Sequence, residues 1–218
     1  MNACAAGATG TPEDPINNSK GCGGVMRVAP VGLLHELTPT RAFDLAARSA
    51  AQTHGHPSGY LSAGVLAAVV SGLCGGLDLD AALADALGLA SRWSGCDETV
   101  AAVRQAEVLA ASHSIDHHEA IVQLGEGWVG EEAFAIGLYC AMVASDFREA
   151  VRMASNHGGD SDSTASIAGQ IRGAWKGLDG IPNAWIRRLD VFEALLDVAG
   201  GLIGQATDRS GVTQGVDL

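Results

Sequence analysis

The apolar residues of this chain recur with a helical period, and this feature constrains the fold more than any other. From Thr38 onward they fall repeatedly on one face of a helix, and no run alternates apolar and polar residues as a half-buried strand does. Thr38 and Pro39 are typical of a helix start, since threonine caps the first turn and proline fits the first helical position. Similar signals predict helices over residues 58–73, 78–90, 97–109, 131–144, 147–155 and 182–206. The sequence therefore predicts an all-α fold.

The length of 218 residues is sufficient for one domain with a sizeable core. Apolar residues make up 47% of the chain but aromatic residues only 5%, so alanine and aliphatic side chains must fill most of the core. That composition favours close-packed helices. We predict a single compact domain over residues 1–218, with an irregular lead-in over residues 1–19 and a frayed tail over residues 207–218.

The charge and hydropathy of the chain argue against two classes of partner. A formal net charge of -12 disfavours nucleic acid and anionic membranes, because both require a cationic surface. No secretory signal is visible at Met1, and the longest apolar run, residues 133–144, is too short to span a bilayer. We expect a soluble protein with neither kind of partner.

The cysteines indicate a reducing compartment. They are widely spaced, odd in number and form no Cys-x-x-Cys pair, so the pattern indicates neither a disulfide framework nor a zinc site. Reduced thiols are typical of the cytoplasm, where we expect this protein. The five positions are Cys4, Cys22, Cys74, Cys96 and Cys140.

The segment NHGGDSDSTASIAGQIRGAWKG, residues 156–177, carries a candidate metal site. Two glycines supply a turn, and Asp160 and Asp162 follow it beside the hydroxyl of Ser163. Carboxylate and hydroxyl oxygens suit Mg²⁺ or Mn²⁺. Positions two apart point to opposite sides of a helix, so both acids can face one ion only if they lie in the turn before the helix. The alternative is that Asp160 caps the helix and Asp162 interacts with its dipole.

Two other aspartate motifs can be compared with this segment. An EF-hand loop starting at Asp160 requires glycine at its sixth position and glutamate at its twelfth, where the chain has Ala165 and Ile171. The DxDxT motif of haloacid-dehalogenase-like phosphatases does fit, with Asp160 as the nucleophile. That motif follows a buried strand, whereas the residues before Asn156 are predicted to be helical. The EF-hand reading fails, and the phosphatase reading stays open.

Small residues line one face of the helix after this motif. Ala165, Gly169, Gly173 and Gly177 recur at intervals of four residues. Glycine costs about 1 kcal/mol relative to alanine in a helix interior, so three glycines on one face need a compensating contact. The stripe predicts a second helix packed very closely against this face.

A glycine-rich loop lies upstream, in the sequence NNSKGCGGVMRVAP. Gly21, Gly23 and Gly24 leave backbone N–H groups uncovered, and Lys20 and Arg27 add positive charge to an otherwise acidic chain. These features favour the binding of a phosphate or diphosphate. The loop matches neither the Walker pattern nor GxGxxG after a strand, and an ordinary turn is the alternative.

Two histidines, His54 and His56, lie in THGHP, a predicted tight turn between helices. One imidazole could donate a hydrogen bond to a ribose hydroxyl or a phosphate, or stack on a base. Histidines of this spacing also end helices without any binding role, which is the alternative.

The sequence resembles the ADP-ribosylglycohydrolase family in three segments: NNSKGCGGVMRVAPVGLL, THGHPSGYLSAG, and LGEGWVGEEAFAIGLYCAM leading into NHGGDSDSTASIAGQIRGAWKG. The resemblance implies a compact orthogonal helical bundle with two divalent ions, Mg²⁺ or Mn²⁺, in a cleft. It implies cleavage of the glycosidic bond that joins ADP-ribose to an acceptor protein or small molecule. By resemblance, Asp160, Asp162 and Ser163 are late metal ligands. The residues that it implies for ADP-ribose binding are Gly21, Cys22, Gly23, Gly24, Met26 and His54.

This chain departs from the family pattern at its beginning. Family members carry an early Thr-Asp-Asp-Thr segment, which supplies the other metal ligands, and a catalytic glutamate, both before the glycine-rich loop. The chain begins after both, so we expect an N-terminally incomplete member whose catalytic residue lies upstream of Met1. Three protein oxygens cannot hold two ions firmly, since Mg²⁺ prefers six ligands. A truncated, split or degenerate protein would each account for this, and a complementing N-terminal fragment is an expected partner.

Three functional hypotheses follow from the sequence. The first is a metal-dependent hydrolase that removes ADP-ribose from an acceptor, incomplete as this chain. The second is a non-catalytic module that binds ADP-ribose or a nucleotide. The third is a DxDxT-type phosphatase.

Overall fold

The computed structural model describes residues 9–34, 36–112 and 114–210, and it confirms the all-α prediction. These residues form eleven α-helices and no strand, apart from one isolated antiparallel bridge between Gly21 and Val129. Two short 3₁₀ turns span Val25–Arg27 and Leu178–Gly180. The helices are α1 (Ala29–Gly32), α2 (Pro39–Ala51), α3 (Pro57–Cys74), α4 (Leu79–Ala90), α5 (Asp97–Ala111), α6 (His117–Leu124), α7 (Gly130–Val143), α8 (Phe147–Ala154), α9 (Ser161–Lys176), α10 (Asn183–Ile186) and α11 (Phe192–Ser210).

Side-chain caps define the starts of several helices, as the sequence signals predict. The Thr38 hydroxyl accepts a hydrogen bond from the Arg41 N–H at 3.4 Å at the start of α2. Before α8, the Asp146 carboxylate accepts one from the Glu149 N–H at 2.7 Å, and the Glu149 carboxylate in turn accepts the Ser145 N–H at 2.7 Å. The Asp146 cap is therefore as expected from the sequence, whereas the Glu149 carboxylate binds the residue before the cap and not the N–H of Asp146 itself.

The structure differs from the prediction in two segments. Helix α6 was not predicted, although its Asp116 cap accepts the His118 N–H at 2.9 Å. The helix predicted over 182–206 is divided, because hydrogen bonds from Arg188 and Leu189 reach back only three residues and interrupt the α-helical pattern. Helix α11 then runs to Ser210, so residues 207–210 are helical rather than a frayed tail, and residues 211–218 lie outside the described residues.

Helices α3 and α7 form the centre of the core, because both are apolar on nearly all sides. Helix α3 contacts α2, α4, α7 and α9, and α7 also packs against α5. Alanines fill most of the interface between α2 and α3, which lets the two helices approach closely. The largest fully buried side chains are Tyr139, Phe43, Phe134, Leu61, Leu66 and Leu83.

Helix α3 also has the length and hydropathy of a membrane span. It is longer than residues 133–144, the apolar run that the sequence showed to be too short to span a bilayer. However, 83% of this helix is buried inside the protein, as in the core helix of a folded domain. One helix of this kind is weak evidence for a membrane span.

Four cysteines lie among the described residues, and all four are free thiols, whereas Cys4 lies outside them. Burial raises the pKa of Cys140 to about 12, and burial also raises the pKa of Cys74. These two thiols therefore stay protonated at neutral pH.

Helix α8 packs against the glycine stripe on α9 as predicted, but it does so through the side chains of Phe147 and Val151. The expected close approach of two backbones is therefore wrong at these positions. A Cβ atom added at Gly173 would lie 4.0 Å from the Phe147 ring, which is an ordinary van der Waals contact. The close approach occurs instead at Gly137 of α7, where an added Cβ would lie 2.6 Å from Ile167 Cγ2 and 3.1 Å from the Ala168 backbone nitrogen. The glycine that α9 requires therefore belongs to its neighbour α7.

Candidate functional site

The glycine-rich loop, residues 21–24, is held against the start of α7 by backbone hydrogen bonds. The Cys22 N–H donates to the Trp128 carbonyl at 3.1 Å, and the Gly130 N–H donates to the Lys20 carbonyl at 2.7 Å. These bonds flank the bridge between Gly21 and Val129. The loop is therefore a turn that is fixed at the edge of the core.

Two neighbouring amide groups of this loop, those of Gly23 and Gly24, have no protein acceptor in the described part of the chain. Gly23 is half-buried and Gly24 is buried. Both precede the 3₁₀ turn at Val25–Arg27, in which Val25 and Met26 donate back to the Cys22 carbonyl. Adjacent N–H groups without an acceptor in a turn form a local positive region that suits a phosphate oxygen.

His54 lies directly against the loop, as the resemblance implies. A Cβ atom added at Gly23 would lie 3.1 Å from His54 Nε2, and one added at Gly21 would lie 3.4 Å away. His54 Nδ1 is 2.8 Å from the Thr53 hydroxyl, which accepts a hydrogen bond from Arg27 at 2.9 Å. Burial, together with the nearby Arg27 charge, lowers the pKa of His54. The imidazole is therefore mostly neutral at neutral pH and keeps Nε2 beside the loop.

Asp160 joins the loop to the candidate metal site. It occupies the N-cap position of α9 and is buried, but its side chain makes no capping hydrogen bond. Instead, the Cys22 thiol donates to Asp160 Oδ2 at 2.7 Å. Burial alone would raise the pKa of Asp160, but hydrogen bonds from Cys22 and Ser163 outweigh burial and lower it. Asp160 is therefore an ionised carboxylate that lies both at the loop and at the start of α9.

Asp162 and Ser163 lie in the first turn of α9 and not in the turn before the helix, which corrects the expected placement of Asp162. The side chain of Asp162 is nevertheless adjacent to that of Asp160 and is exposed, while Ser163 is buried. The Ser163 hydroxyl donates to Met26 Sδ at 3.1 Å. The side chains of Asp160 and Asp162 can still be adjacent because Asp160 precedes the regular helix, so the helical period does not set its direction.

These three side chains fit part of a divalent cation site by their chemistry. Two carboxylates and a hydroxyl at a helix start are the hard oxygen donors that Mg²⁺ or Mn²⁺ prefers. Among the described residues, no group of three or more His, Cys, Asp and Glu side chains could hold a metal ion.

The turn that carries Asp160 is fixed by residues that the sequence analysis did not identify. The Asp160 N–H donates to the Glu126 carbonyl at 2.8 Å, and a side chain at Gly159 would collide with the Glu126 backbone. The Glu126 N–H in turn donates to the Glu132 carboxylate at 3.1 Å. Gly125 and Gly127 have φ angles of 118° and 81°, so the segment GEG was a sequence signal for this turn.

His157 provides a second support for the same turn. Its Nδ1 accepts the Gly159 N–H at 3.1 Å, so its Nε2 carries the proton and donates to the Thr164 hydroxyl at 2.8 Å. That hydroxyl donates to the Ala154 carbonyl at 2.7 Å. Burial lowers the pKa of His157, which favours the neutral ring that this arrangement requires.

Lys20 is not available as the phosphate-binding charge that the sequence suggests. Its ammonium group forms ion pairs with Glu98 at 2.7 Å and with Glu131 at 2.6 Å. Arg27 is exposed and directed toward Thr53, so it remains the cationic side chain near His54. The sequence could not show this difference, because both acidic partners of Lys20 are distant along the chain.

Two cavities among the described residues lie apart from the glycine-rich loop. One of about 480 Å³ lies at α2 and is lined by Phe43 and Trp93. A smaller cavity of about 230 Å³ lies beside the turn before α9 and is lined in part by Glu126, His157 and Gly159. The candidate site lies where three chain segments meet, and Cys22, Asp160 and Ser163 are buried there.

Comparison with known proteins agrees with this arrangement. A family model described as ADP-ribosylglycohydrolase matches residues 1–211. An uncharacterized protein of Archaeoglobus fulgidus is 32% identical over 181 residues, covering 82% of this chain and 56% of that protein. The ADP-ribosyl-[dinitrogen reductase] glycohydrolase of Rhodospirillum rubrum is 26% identical over 201 residues, covering 88% of this chain and 61% of that protein.

A human relative and a solved structure extend this comparison. The human ADP-ribosylhydrolase ARH3 is 28% identical over 202 residues, covering 80% of this chain and 55% of that protein. A solved structure described as an ADP-ribosylglycohydrolase-related protein complex has a TM-score of 0.62 and 26% identity, covering 92% of this chain and 64% of the matched chain. This chain therefore spans little more than half the length of the relatives it matches. On these matches, the chain belongs to the ADP-ribosylglycohydrolase family.

Proposed function

We propose that this chain supplies the ADP-ribose-binding part and the late metal ligands of a hydrolase that removes ADP-ribose from an acceptor. The observation that carries this proposal is the meeting of three distant segments at one place. The glycine-rich loop carries the amides of Gly23 and Gly24, which have no protein acceptor in the described part of the chain. The ring of His54 and the carboxylate of Asp160 both lie against this loop. The relatives named as ADP-ribosyl hydrolases support the choice of ligand.

Each part of the site has a distinct role in this proposal. The Gly23 and Gly24 amides bind the diphosphate through hydrogen bonds that require no lysine. His54, held neutral beside the loop, orients a ribose hydroxyl through Nε2. Asp160, Asp162 and Ser163 would hold a divalent cation, which when bound supplies positive charge and activates water. Burial beside Cys22 and Ser163 fixes the Asp160 carboxylate in place before a cation arrives.

We propose further that full activity requires ligands from outside this chain. The chain spans 55% to 61% of the length of the three relatives above, and its own donors form a partial cation site. A complementing N-terminal segment, of the kind expected from the sequence, would supply the remaining ligands and the catalytic acid or base. The partners in this proposal are therefore ADP-ribosylated proteins or small molecules and that segment.

The two alternatives from the sequence fare differently. A non-catalytic ADP-ribose-binding module is favoured by the intact loop and His54, which require no metal for their contacts. The DxDxT phosphatase is not favoured, because the motif requires a buried strand before Asp160. Helix α8 precedes the motif instead, and no strand occurs in the described residues.

Calorimetric titration tests the proposal on the 218-residue chain. We expect ADP-ribose to bind without metal, and binding of Mn²⁺ to be weak. Addition of the N-terminal segment of the Rhodospirillum rubrum relative, as a separate polypeptide, is expected to increase Mn²⁺ affinity and to give hydrolysis of ADP-ribosylated arginine or serine. Adenosine monophosphate, which lacks the diphosphate and second ribose, is the control ligand and should bind more weakly.

Three results would separate the candidate functions. Binding without turnover in the presence of the added segment would favour the non-catalytic module. Absence of ADP-ribose binding by the folded chain would contradict the proposed function altogether. Rapid hydrolysis by the chain alone would show that ligands come from residues assigned here to helix starts.

A further inference from the structure

The buried ion pair of Lys20 lies immediately before the glycine-rich loop. Lys20 Nζ is 2.6 Å from Glu131 Oε1 and 2.7 Å from Glu98 Oε2. The carboxylate of Glu131 is 9% exposed, whereas that of Glu98 is 52% exposed. Glu131 lies in the first turn of α7 and Glu98 in the first turn of α5. One ammonium group therefore connects the starts of two helices to the loop.

A third helix start belongs to the same cluster. Ser58, buried in the first turn of α3, donates a hydrogen bond to Glu98 Oε2. The next residue, Gly59, lies against the backbone of Ser19 and Lys20, where an added Cβ would be 2.7 Å from the Ser19 carbonyl oxygen. Carboxylates are favourable at helix N-termini, so these positions suit Glu98 and Glu131 even before the lysine is considered.

Lys20 is also fixed through its backbone. Its carbonyl accepts the Gly130 N–H at 2.7 Å, one residue before the glutamate that its ammonium group binds. Two residues further along, the Cys22 N–H donates to the Trp128 carbonyl and its thiol donates to Asp160. The position of Lys20 therefore determines where the loop begins relative to both α7 and α9.

The charges of this cluster argue against direct contact between Lys20 and a diphosphate. One ammonium group faces two carboxylates, so the cluster has a net negative charge and repels an anion. Glu131 Oε2 has no hydrogen-bond partner although it is buried. Loss of the lysine would leave a buried carboxylate without any partner, which is strongly unfavourable. The pairing is therefore expected to persist when a ligand binds.

We propose that Lys20, paired with Glu131, is a positioning residue that holds the glycine-rich loop in its ligand-binding conformation and does not itself contact the ligand. This inference rests on the proposed binding of ADP-ribose at the loop. It assigns the cationic residue of the segment SKGCGG a structural partner on α7 rather than a phosphate. Glu98, being more exposed, contributes less to the position of the loop.

The test compares four single variants and the double variant Lys20→Met with Glu131→Gln in two measurements. Lys20→Met and Glu131→Gln each remove the buried pair, Lys20→Arg preserves it, and Glu98→Gln removes only the exposed carboxylate. Amide hydrogen exchange at Cys22 and Gly130, followed by NMR, reports the loop position without any ligand. Calorimetry with ADP-ribose reports its binding function.

We expect Lys20→Met and Glu131→Gln each to accelerate exchange at both amides and to weaken ADP-ribose binding about 10-fold, or about 1.4 kcal/mol. The double variant should bind ADP-ribose about as tightly as the weaker-binding of the two single variants, because both changes remove the same interaction. Lys20→Arg should restore both measurements, and Glu98→Gln should change them little. If Lys20→Met does not fold, Glu131→Gln and its comparison with Glu98→Gln carry the same test.

A direct phosphate contact predicts a different pattern. Lys20→Met would then weaken binding without changing exchange at Cys22 or Gly130, and Glu131→Gln would strengthen binding by removing a negative charge. That result would overturn the proposal, as would normal exchange in both Lys20→Met and Glu131→Gln. If exchange responds as expected but wild-type protein binds no ADP-ribose, the proposed function fails while Lys20 is still shown to position the loop.

Discussion

The thiol of Cys22 donates a hydrogen bond to the carboxylate of Asp160 at 2.7 Å, and this contact joins the glycine-rich loop to the start of α9. The two residues lie in separate sequence motifs, one implied to bind ADP-ribose and the other to bind a metal. Burial and the hydrogen bond to Asp160 raise the pKa of Cys22 to about 11, so the sulfur remains a protonated donor at neutral pH. The contact makes the two motifs direct neighbours in the fold.

Replacement of Cys22 tests the importance of that contact for stability. Cys22→Val removes the donor at nearly constant size and leaves a buried, ionised acceptor with one fewer partner. We expect the free energy of unfolding to fall by about 1–3 kcal/mol, measured by urea denaturation. Cys22→Ser keeps a donor at this position and should lose less. Equal stability of the valine and serine variants would contradict the role of the hydrogen bond.

At the contact between α7 and α9, we predict that alanine substitutions at two glycines change stability in opposite directions. Gly137→Ala places a Cβ atom 2.6 Å from Ile167 Cγ2 and close to the α9 backbone, so it should destabilise the protein by about 1–3 kcal/mol. Gly173→Ala meets only the Phe147 ring at 4.0 Å and should stabilise the helix by up to about 1 kcal/mol. Thermal unfolding of both variants measures the difference. A lower midpoint for Gly173→Ala than for Gly137→Ala would reverse our assignment.

These glycines show what sequence patterns can and cannot predict. A period of four residues correctly identifies one face of α9, and cap signals place the starts of α2 and α8. The pattern does not show which neighbour covers that face. The Phe147 side chain fills the space in which the sequence predicts a second backbone. Helix positions follow from local chemistry, whereas helix contacts depend on residues distant in the chain.

The candidate site also contains residues that the local sequence predicts and residues whose roles depend on distant partners. The glycine-rich loop, His54 and Asp160 could be identified from local sequence and resemblance, and the structure brings them together. The pairing of Lys20 with Glu131 could not be identified, since a charge beside a loop looks the same whether its partner is a ligand or a buried carboxylate. His157 was overlooked because its role depends on the hydroxyl of Thr164 in the next helix.

His157 makes stability depend on pH in a predictable direction. Burial lowers its pKa in the folded protein, so the unfolded chain binds a proton at higher pH than the folded chain does. Its contribution to stability is complete above the unfolded value of about 6.5 and is lost as pH falls from there toward the folded value. Urea denaturation at about pH 8 and about pH 5.5 should show a smaller decrease for His157→Gln than for wild type.

His54, whose pKa is also lowered, supplies the internal reference for this pH effect. Its contribution should remain in His157→Gln, so that variant should keep part of the wild-type pH dependence. An identical pH dependence in wild type and His157→Gln would mean that the turn before α9 tolerates a charged ring.

The last prediction concerns the metal ligands and uses an exposed carboxylate as its control. Asp162 is exposed beside Asp160 at the start of α9, so Asp162→Asn removes one negative charge and one strong oxygen donor without disturbing the core. Because cation affinity depends on the number of charged ligands, we expect Mn²⁺ binding to weaken about 10-fold in calorimetry, with an unchanged thermal midpoint. Asp85→Asn makes the same change of charge on the exposed face of α4 and should bind Mn²⁺ as wild type does. ADP-ribose affinity without metal should be the same in both variants, since the amides of Gly23 and Gly24 and the ring of His54 are unaffected. Equal loss of Mn²⁺ affinity in the two variants would show that Asp162 acts only through overall charge and is not a ligand.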